Sequence, residues 1–403
     1  MDTKDFAIIL ALLENPIASN SEIKDIILST QGIDISEITV ARRIKKLEED
    51  NILAGASAEI NYSKLDLTLY AYIILLAPKI MHNSLILRSL LSEHPYILYQ
   101  NRLFGAFNGL FCQFAIPNSG DAIEHHREFL SELRQSGIIL DFFEFKAISK
   151  SEIFATKLQY FNLEALSWAT PTNYLEEYEE GQQSYKAGNL DNSILDQTDI
   201  LDIILLRELA MDCRRSNQMI IDYLEDKDNV YNKYAPEILM DLPMSKQTIS
   251  RRIISLRDNG FHQRYTLWYN REMFGMFNQT LFTFERNDIE VNNLVNFIRE
   301  KIPFPGSLLI TDTDVLLWLD IPIIEVMKLS ELISSRFDQL KVSLLHRKPV
   351  TYPLWPANYD AKERNWKTSK DYIQGALGML DKLKQMSLEE LMVEAEKWVD
   401  TEL

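Results

Sequence analysis

Cysteine is scarce in this sequence of 403 residues. The chain has two, Cys112 and Cys213, which lie far apart and belong to no paired motif. They exclude a disulfide framework and a cysteine-based zinc site. Long apolar runs are missing too, because no stretch reaches the length that a membrane-spanning helix needs. No basic region followed by an apolar run marks the N-terminus. We therefore expect a cytoplasmic protein without a membrane partner.

The sequence also lacks the signatures of common enzymes. It has no phosphate-cradling glycine-rich loop, no nucleophile elbow and no HExxH run. His125 and His126 are adjacent, so on a helix they point about 100° apart and cannot both bind one metal. We expect no cofactor and no metal, and we predict that the chain is not an enzyme.

Positive charge is in short supply. The chain has 42 Lys and Arg against 59 Asp and Glu, a net charge of −17. Such a balance argues against a protein that coats nucleic acid indiscriminately. It leaves room for a specific site in which a few basic residues are gathered locally. A length of 403 residues exceeds one hydrophobic core, so two or more domains are expected.

One short basic pattern occurs twice. "SEITVARRIKKLEEDNIL" spans residues 36–53, and "SKQTISRRIISLRDNGF" spans residues 245–261. At an offset of 209 the two stretches share Ser36/Ser245, Thr39/Thr248, Arg42/Arg251, Arg43/Arg252, Ile44/Ile253 and Leu47/Leu256. A repeat of this kind indicates an internal duplication.

The residues around the first stretch predict a winged helix-turn-helix. Two helices come first, in "TKDFAIILALLENP" and "SNSEIKDIIL". The third helix is expected to turn Ile38, Ala41, Ile44 and Leu47 inward, and "DNILAGASAEIN" is expected to form a hairpin wing. The second copy begins near "QTDILDIILLREL", with Thr198 matching Thr3. The offset of 195 there implies a 14-residue insertion, which we place in "LEDKDNVYNKYAPEI".

After each winged helix the pattern changes to buried strands alternating with helices. Residues 67–150 read as βαββαβ, a ferredoxin-like α+β sandwich, and residues 276–347 repeat that order. The predicted domains are winged helices at 1–63 and 196–272 and ferredoxin-like domains at 64–150 and 273–350. A linker covers 151–195, where the acidic "LEEYEEGQQSYKAGN" is expected to be exposed and mobile. A tail with an amphipathic helix covers 351–403.

This order of domains resembles the Lrp/AsnC family of prokaryotic and archaeal transcription regulators. The resemblance rests on "TVARRIKKLEEDNILAGASAEINYSKL" and, in the second copy, on "TISRRIISLRDNGF". It implies a ferredoxin-like (RAM) domain that pairs with another and often binds a small molecule between the two. It also implies an archaeal, internally duplicated member. The paired tails "NLEALSW" and "NYDAKERNW" are not explained by the family pattern.

The reading helices supply candidate residues for double-stranded DNA. Arg matches the acceptors of guanine, whereas Ser and Thr at a helix start suit phosphates. In the first copy positions 39, 42, 43 and 46 share one helix face. The predicted DNA-binding residues are Ser36, Thr39, Arg42, Arg43, Lys46, Ser245, Lys246, Thr248, Arg251 and Arg252. The second helix is the stronger electrostatic candidate, because residues 245–257 contain no acid.

The resemblance also places a possible effector site on the loops of the two RAM-type domains. These loops are "GAFNG" and "TDTDV", and the candidate residues are Gly105, Asn108, Gly109, Thr311 and Asp314. Asn108 stands where the family usually has Asp, so the effector is expected not to be a simple amino acid. Self-association through RAM-type domains is also expected.

Two other functions remain open at this point. Siroheme decarboxylases are similar to Lrp/AsnC proteins and act as enzymes, but they need haem-facing histidines and arginines. Here His82, His94, His125 and His126 form no recognisable set. The third possibility is a ligand sensor whose reading helices no longer bind DNA.

Overall fold

The computed structural model describes residues 1–178, 188–240, 242–346 and 349–396. The first part of the chain contains, in order, α1 (Thr3–Glu14), α2 (Asn20–Gln31), α3 (Glu37–Glu49), β1 (Leu53–Ile60), β2 (Leu67–Leu76), α4 (Ile80–Ser92), β3 (Ile97–Gly105), β4 (Gly109–Pro117), α5 (Ala122–Gln135) and β5 (Ile139–Lys146). A connecting segment contains β6 (Glu152–Phe154), β7 (Phe161–Asn162), β8 (Ser167–Trp168) and α6 (Tyr174–Glu177).

The later part of the chain has elements of the same kinds. They are α7 (Ile200–Asp212), α8 (Asn217–Glu225), α9 (Val230–Tyr234), α10 (Lys246–Asp258), β9 (His262–Tyr269), β10 (Asn278–Glu285), α11 (Asp288–Lys301), β11 (Gly306–Ile310), β12 (Asp314–Ile321), α12 (Ile323–Arg336) and β13 (Lys341–Leu345). The tail contains β14 (Val350–Thr351), β15 (Tyr359–Asp360), β16 (Asn365–Trp366), α13 (Lys370–Ile373), α14 (Leu380–Gln385) and α15 (Leu388–Glu396).

We call two sets of helices, α1 to α3 and α7, α8 and α10, the three-helix groups. Each of their helices begins with a side-chain cap. Asp2 and Asp5 form a capping box at α1, and Asp199 and Asp202 form one at α7. Serine caps α2, α3, α8 and α10. Each cap satisfies a backbone N–H that has no partner within the helix. These polar residues therefore fix where each helix starts.

The predicted wing is not a hairpin. β1 is a single strand that runs antiparallel to β9, from Leu53 opposite Tyr269 to Ile60 opposite His262. We call this two-stranded sheet the ribbon. The hairpin prediction was wrong because the partner strand is supplied by the later part of the chain, not by the next residues.

The predicted mixed α+β fold with an antiparallel sheet is confirmed. Nine strands follow the order β5-β2-β4-β3-β13-β10-β12-β11-β6, and β14 pairs beside them with β3. The segments β2 to β5 and β10 to β13 each run in the order βαββαβ. They meet where Leu103, Phe104 and Gly105 of β3 pair with β13.

The two main cores cross over between the parts of the chain. One core packs buried residues of α7, α8 and α10 with those of β2, β4, α4 and α5. The other packs α1, α2 and α3 with β10, β12, α11 and α12. Each three-helix group therefore shares its core with the βαββαβ segment of the other part. Crossed cores make the folding of the two parts interdependent.

The two unexplained tails form small hairpins, β7–β8 and β15–β16. Trp168 Nε1 donates a hydrogen bond to the backbone oxygen of Phe274 at 2.6 Å. Trp366 Nε1 donates one to the backbone oxygen of Leu65, also at 2.6 Å. Leu65 and Phe274 each end the short 3-10 turn that follows a ribbon strand. Each hairpin thus holds the turn that belongs to the other part.

The predicted insertion is smaller than expected. The caps Asp2 and Ser19 recur at Asp199 and Ser216, an offset of 197, whereas Ser36 and Ser245 are 209 apart. The difference is 12 residues, not 14, and the extra length between α8 and α10 contains α9 and a 3-10 turn. Most of the acidic linker stretch lies outside the described residues. Among the described residues, no helix is both long and apolar enough to cross a membrane.

Candidate nucleic-acid interface

The starts of α3 and α10 have the same local structure. Ser36 Oγ accepts a hydrogen bond from the backbone N–H of Thr39 at 3.3 Å, and Ser245 Oγ accepts one from Thr248 at 3.2 Å. In both helices the Ser and Thr hydroxyls also bond each other at 2.9 Å. The four predicted Ser and Thr residues therefore form the helix caps. The remaining N–H groups of each first turn can face an anion.

The outward face of α3 is not the one that the sequence predicted. Ile38 is 83% exposed and Ala41 is exposed, although both were expected to point inward. Val40 takes the inward position beside Ile44 and Leu47. The prediction grouped four apolar residues at helical spacing, whereas the helix is rotated so that Val40, Ile44 and Leu47 are the residues it buries. The exposed face therefore carries Ile38, Ala41, Arg42 and Lys45.

The corresponding face of α10 has a different composition. Gln247 and Arg251 are exposed, and Ile254 is 45% exposed. Arg251 Nε donates a hydrogen bond to the backbone oxygen of Gln247 at 3.4 Å, so its side chain runs back toward the helix start. Lys246 at the first helical position is also exposed. This face is free of acid until Asp258 at the helix end.

The second arginine of each pair is partly exposed and is paired with carboxylates of the same chain. Arg43 Nη1 donates to Asp2 at 2.9 Å and to Asp5 at 2.6 Å. Arg252 donates to Asp199 at 2.7 Å and to Asp202 at 2.9 Å. In both cases the partners are the two carboxylates of the capping box on the first helix of the group. We call each arrangement an Arg–Asp clamp.

The clamps shift the ionisation of their members. The hydrogen bonds that Arg43 donates to Asp5 and Asp2 raise the pKa of Arg43. Burial disfavours the charge of Arg252, but Asp202 and Asp199 outweigh it and raise that pKa as well. Asp202 itself has a raised pKa because it is desolvated and lies beside Asp199. Arg43 and Arg252 therefore stay protonated, and the positive charge of each is paired with two Asp carboxylates of the same chain.

Arg42 and Arg251 make no ion pair within the described part of the chain, and both are exposed. Lys46 is exposed as well, whereas Lys45 lies 3.8 Å from Glu49. The structure thus brings the predicted DNA-binding residues onto the same two helices but divides them by role. Sequence reasoning missed the clamps, although an Asp-x-x-Asp pattern at 2 and 5 recurs at 199 and 202.

The ribbon fixes how α3 and α10 are arranged. Because the strands are antiparallel, Leu53 at the start of β1 and His262 at the start of β9 lie at opposite ends. At roughly 3.4 Å per residue, eight-residue strands separate these starts by about 24 Å. α3 ends at Glu49, just before β1, and α10 ends at Asp258, just before β9. The two helices are therefore mounted at opposite ends of one ribbon.

The predicted effector loops are closed by hydrogen bonds. In the first, Asn108 Oδ1 accepts from Arg102 Nη2 at 3.2 Å, and a Cβ on Gly109 would lie 1.9 Å from the backbone oxygen of Ile74. Gly105 adopts a φ of 119° beside β13. In the second, Thr311 Oγ1 accepts from the backbone N–H of Asp314 at 2.9 Å. An effector at either loop remains a prediction.

A small cavity lies away from these loops, at the junction of the ribbon with β2. Its lining includes Glu59, Tyr62, Ser149 and Lys150, and its volume is ≈ 50 Å³. Since one water occupies roughly 30 Å³ of liquid, this space suits ordered water and not an organic effector.

Two of the histidines form a pair that the sequence did not reveal. His94 Nδ1 accepts from the backbone N–H of Tyr96 at 3.2 Å, so its Nε2 carries the proton and donates to His126 Nδ1 at 3.1 Å. Both rings are buried among aromatic side chains. Burial lowers the pKa of His94 well below its usual value and that of His126 to about 3. His125 points away and bonds the backbone oxygen of Thr368.

No protein-family model matches the chain, and no curated protein matches it. Solved structures do. The siroheme decarboxylase NirDL matches at 12% identity with a TM-score of 0.49, covering 94% of this chain and 100% of that chain. The same enzyme in co-complex with an iron-uroporphyrin III analogue matches with a TM-score of 0.48 over the same shares.

Regulators of the Lrp/AsnC type match a smaller part. AsnC of E. coli is 17% identical with a TM-score of 0.29, covering 37% of this chain and 93% of that chain. A transcriptional regulator from Neisseria meningitidis, in complex with L-Met, is 18% identical with a TM-score of 0.29, covering 37% of this chain and 91% of that chain.

One prediction is overturned by these comparisons. We predicted that the chain is not an enzyme, and both matches described above that span nearly the whole chain are structures of an enzyme. That prediction is wrong and is withdrawn. At 12% identity and TM-scores below one half, the matches assign no activity to this chain.

Proposed function

We propose that the chain is a sequence-specific DNA-binding transcription regulator and that α3 and α10 are its two reading helices. The observation that carries the proposal is the pairing of β1 with β9, which mounts these helices at opposite ends of one ribbon. The strand starts are about 24 Å apart, and α3 and α10 each end a few residues before one of them. Recognition helices on one face of DNA enter major grooves about 34 Å apart. The ribbon suits that spacing.

The chemistry of the two exposed faces supports the same function. Arg42 and Arg251 present guanidinium groups in the second turn of each helix, at the reach needed for guanine edges or phosphates. The capped starts of α3 and α10 add backbone N–H groups that favour phosphate. The net charge of −17 limits attraction to DNA elsewhere, so contact is confined to these faces.

We also propose that the two parts of the chain are copies that together mimic a dimer. One Arg–Asp clamp, two capping serines and one tryptophan hairpin occur in each part. Every one of these features has its equivalent in the same order along the chain. One chain would then present both readers, and the readers have diverged, so the operator is non-palindromic. An effector near Gly105–Gly109 would act where β3 meets β13.

The competing function is a tetrapyrrole decarboxylase built on the same scaffold. It requires histidine or arginine side chains that face a bound macrocycle. His94 and His126 are enclosed by Tyr72, Phe114 and Phe129 and bond each other. Neither ring is placed to contact a macrocycle in this conformation, so the geometry favours DNA reading.

The proposal is tested by selecting binding sites from a random DNA pool with the full chain and measuring affinity by fluorescence anisotropy. We expect Arg42→Ala combined with Arg251→Ala to weaken binding and to flatten the log–log salt dependence by about two units, one for each lost contact. The control combines Arg134→Ala on α5 with Lys384→Ala on α14, which removes the same number of positive charges from exposed positions away from the two helices.

An unenriched pool, or equal loss in the control, contradicts the proposal. The visible absorbance spectrum of the purified chain tests the alternative. A tetrapyrrole band in a preparation that selects no DNA supports the enzyme instead.

A further inference from the structure

We infer that Ile38 and Gln247 make the two halves of the operator different, with Ile38 contacting a thymine methyl group and Gln247 bonding an adenine. This inference rests on the proposed DNA-binding function. Both residues occupy the second helical position after a capping serine, Ser36 or Ser245. In helix-turn-helix proteins the first residues of the reading helix are those that contact base edges.

Exposure singles out Ile38. At 83% it is the most exposed large hydrophobic side chain among the described residues. It packs against no core, and a β-branched residue adds little to helix stability. Ile38 lies one turn before the exposed Arg42 on the same helix face. It therefore faces the DNA that Arg42 is proposed to contact. In the major groove the apolar feature of a base is the thymine methyl group, and an aliphatic side chain is its complement.

Gln247 has the opposite chemistry at the equivalent position. A glutamine amide offers one donor and one acceptor side by side, which matches N7 and the N6 amino group of adenine. The bond from Arg251 Nε to the backbone oxygen of Gln247 lays the arginine along the first turn. The Gln247 amide and the Arg251 guanidinium would therefore contact neighbouring bases. α10 would read adenine next to guanine.

The two helices share a capped start and an exposed Arg, and they differ at the other outward-facing positions. The capping Ser and Thr and the exposed Arg are common to both. On the outward face, Ile38, Ala41 and Lys45 stand where α10 has Gln247, Ser250 and Ile254. Only the first of these pairs lies in the turn nearest the bases. It therefore carries most of the difference between the half-sites.

The test is a side-chain exchange read by site selection. Ile38→Gln in the full chain should change the preferred base of one half-site from thymine to adenine. Gln247→Ile should make the reverse change in the other half-site. A bidentate base contact discriminates by roughly 5- to 140-fold. Matched controls are Ile323→Gln on α12 and Gln135→Ile at the end of α5, both exposed and away from the readers.

A second measurement changes the DNA instead of introducing a polar side chain at Ile38. Replacing thymine by deoxyuridine in the half-site of α3 removes only the methyl group, which should lower the affinity of the wild-type chain about fourfold. Ile38→Ala should make the chain indifferent to that replacement. Circular dichroism verifies that each variant is folded.

The outcomes are separable. A wild-type chain that selects no DNA sinks the proposed function and this inference with it. A chain that selects DNA, but whose half-sites are unchanged by both exchanges, overturns this inference alone. Equal sensitivity to deoxyuridine in wild type and Ile38→Ala also overturns it.

Discussion

The two arginines in each RR pair should have separable roles. Arg252→Ala is the sharpest perturbation, because Arg252 bonds Asp199 and Asp202 while its neighbour Arg251 is exposed. Asp202 is only 8% exposed, and Arg252 is 33% exposed. Removal of the guanidinium leaves a desolvated carboxylate beside a second one.

The expected cost lies between those of a surface pair and a fully buried pair. Exposed ion pairs contribute about 0–1 kcal/mol, whereas breaking a buried pair costs about 3–5 kcal/mol. With one partner buried and the other one-third exposed, Arg252→Ala should lower the free energy of unfolding by about 2 kcal/mol. Arg43→Ala should cost less, because Asp2 is 57% exposed.

Urea denaturation followed by circular dichroism measures the stability, and fluorescence anisotropy well below the transition measures DNA affinity. Arg252→Ala should lose stability and keep its affinity. Arg251→Ala should keep its stability and lose about 5- to 140-fold in affinity. The reasoning is refuted if Arg252→Ala loses as much affinity as Arg251→Ala while its unfolding curve stays unchanged.

Two further outcomes follow from the buried polar groups. Trp366→Phe leaves the backbone oxygen of Leu65 without its donor and should cost about 1–3 kcal/mol in urea denaturation. A smaller cost is expected for Trp168→Phe because that ring is less buried. Equal stability of wild type and Trp366→Phe would contradict a stabilising role for this hydrogen bond. His94 and His126 have lowered pKa values in the folded state, so the unfolded chain binds more protons below about pH 6.5 and stability falls as the pH drops toward 3. His126→Phe should flatten that slope by up to about 1.4 kcal/mol per pH unit, and an identical slope between pH 6 and 4 contradicts the burial argument.

The strands of the large sheet were predictable because they are strongly apolar and bounded by turns. Residues 67–150, for example, were expected to begin with a buried strand, and β2 lies between β4 and β5 in the sheet. The ribbon was not predictable in the same way. β1 alternates buried and partly exposed residues as a hairpin strand does, and nothing local identifies a partner more than 200 residues away.

The sequence repeat located the candidate site, but the predicted orientation of its side chains was wrong. The repeat located α3 and α10 correctly, but apolar character turned Ile38 inward, and the RR pair was treated as one unit. The Asp pairs at 2 and 5 and at 199 and 202 are a second repeat, outside the basic stretch. Their spacing from the arginines carries no local signal, because the clamp joins two helices. Which arginine faces solvent is therefore a property of the packing.

In the proposed function, one chain reads DNA with both α3 and α10. A hydroxyl-radical footprint on a selected site, taken at one chain per DNA molecule, tests it most directly. We expect two protected segments of unlike sequence on one face of the duplex, about 10–10.5 base pairs apart from centre to centre. A single protected segment, or protection that appears only with two chains per site, would contradict it.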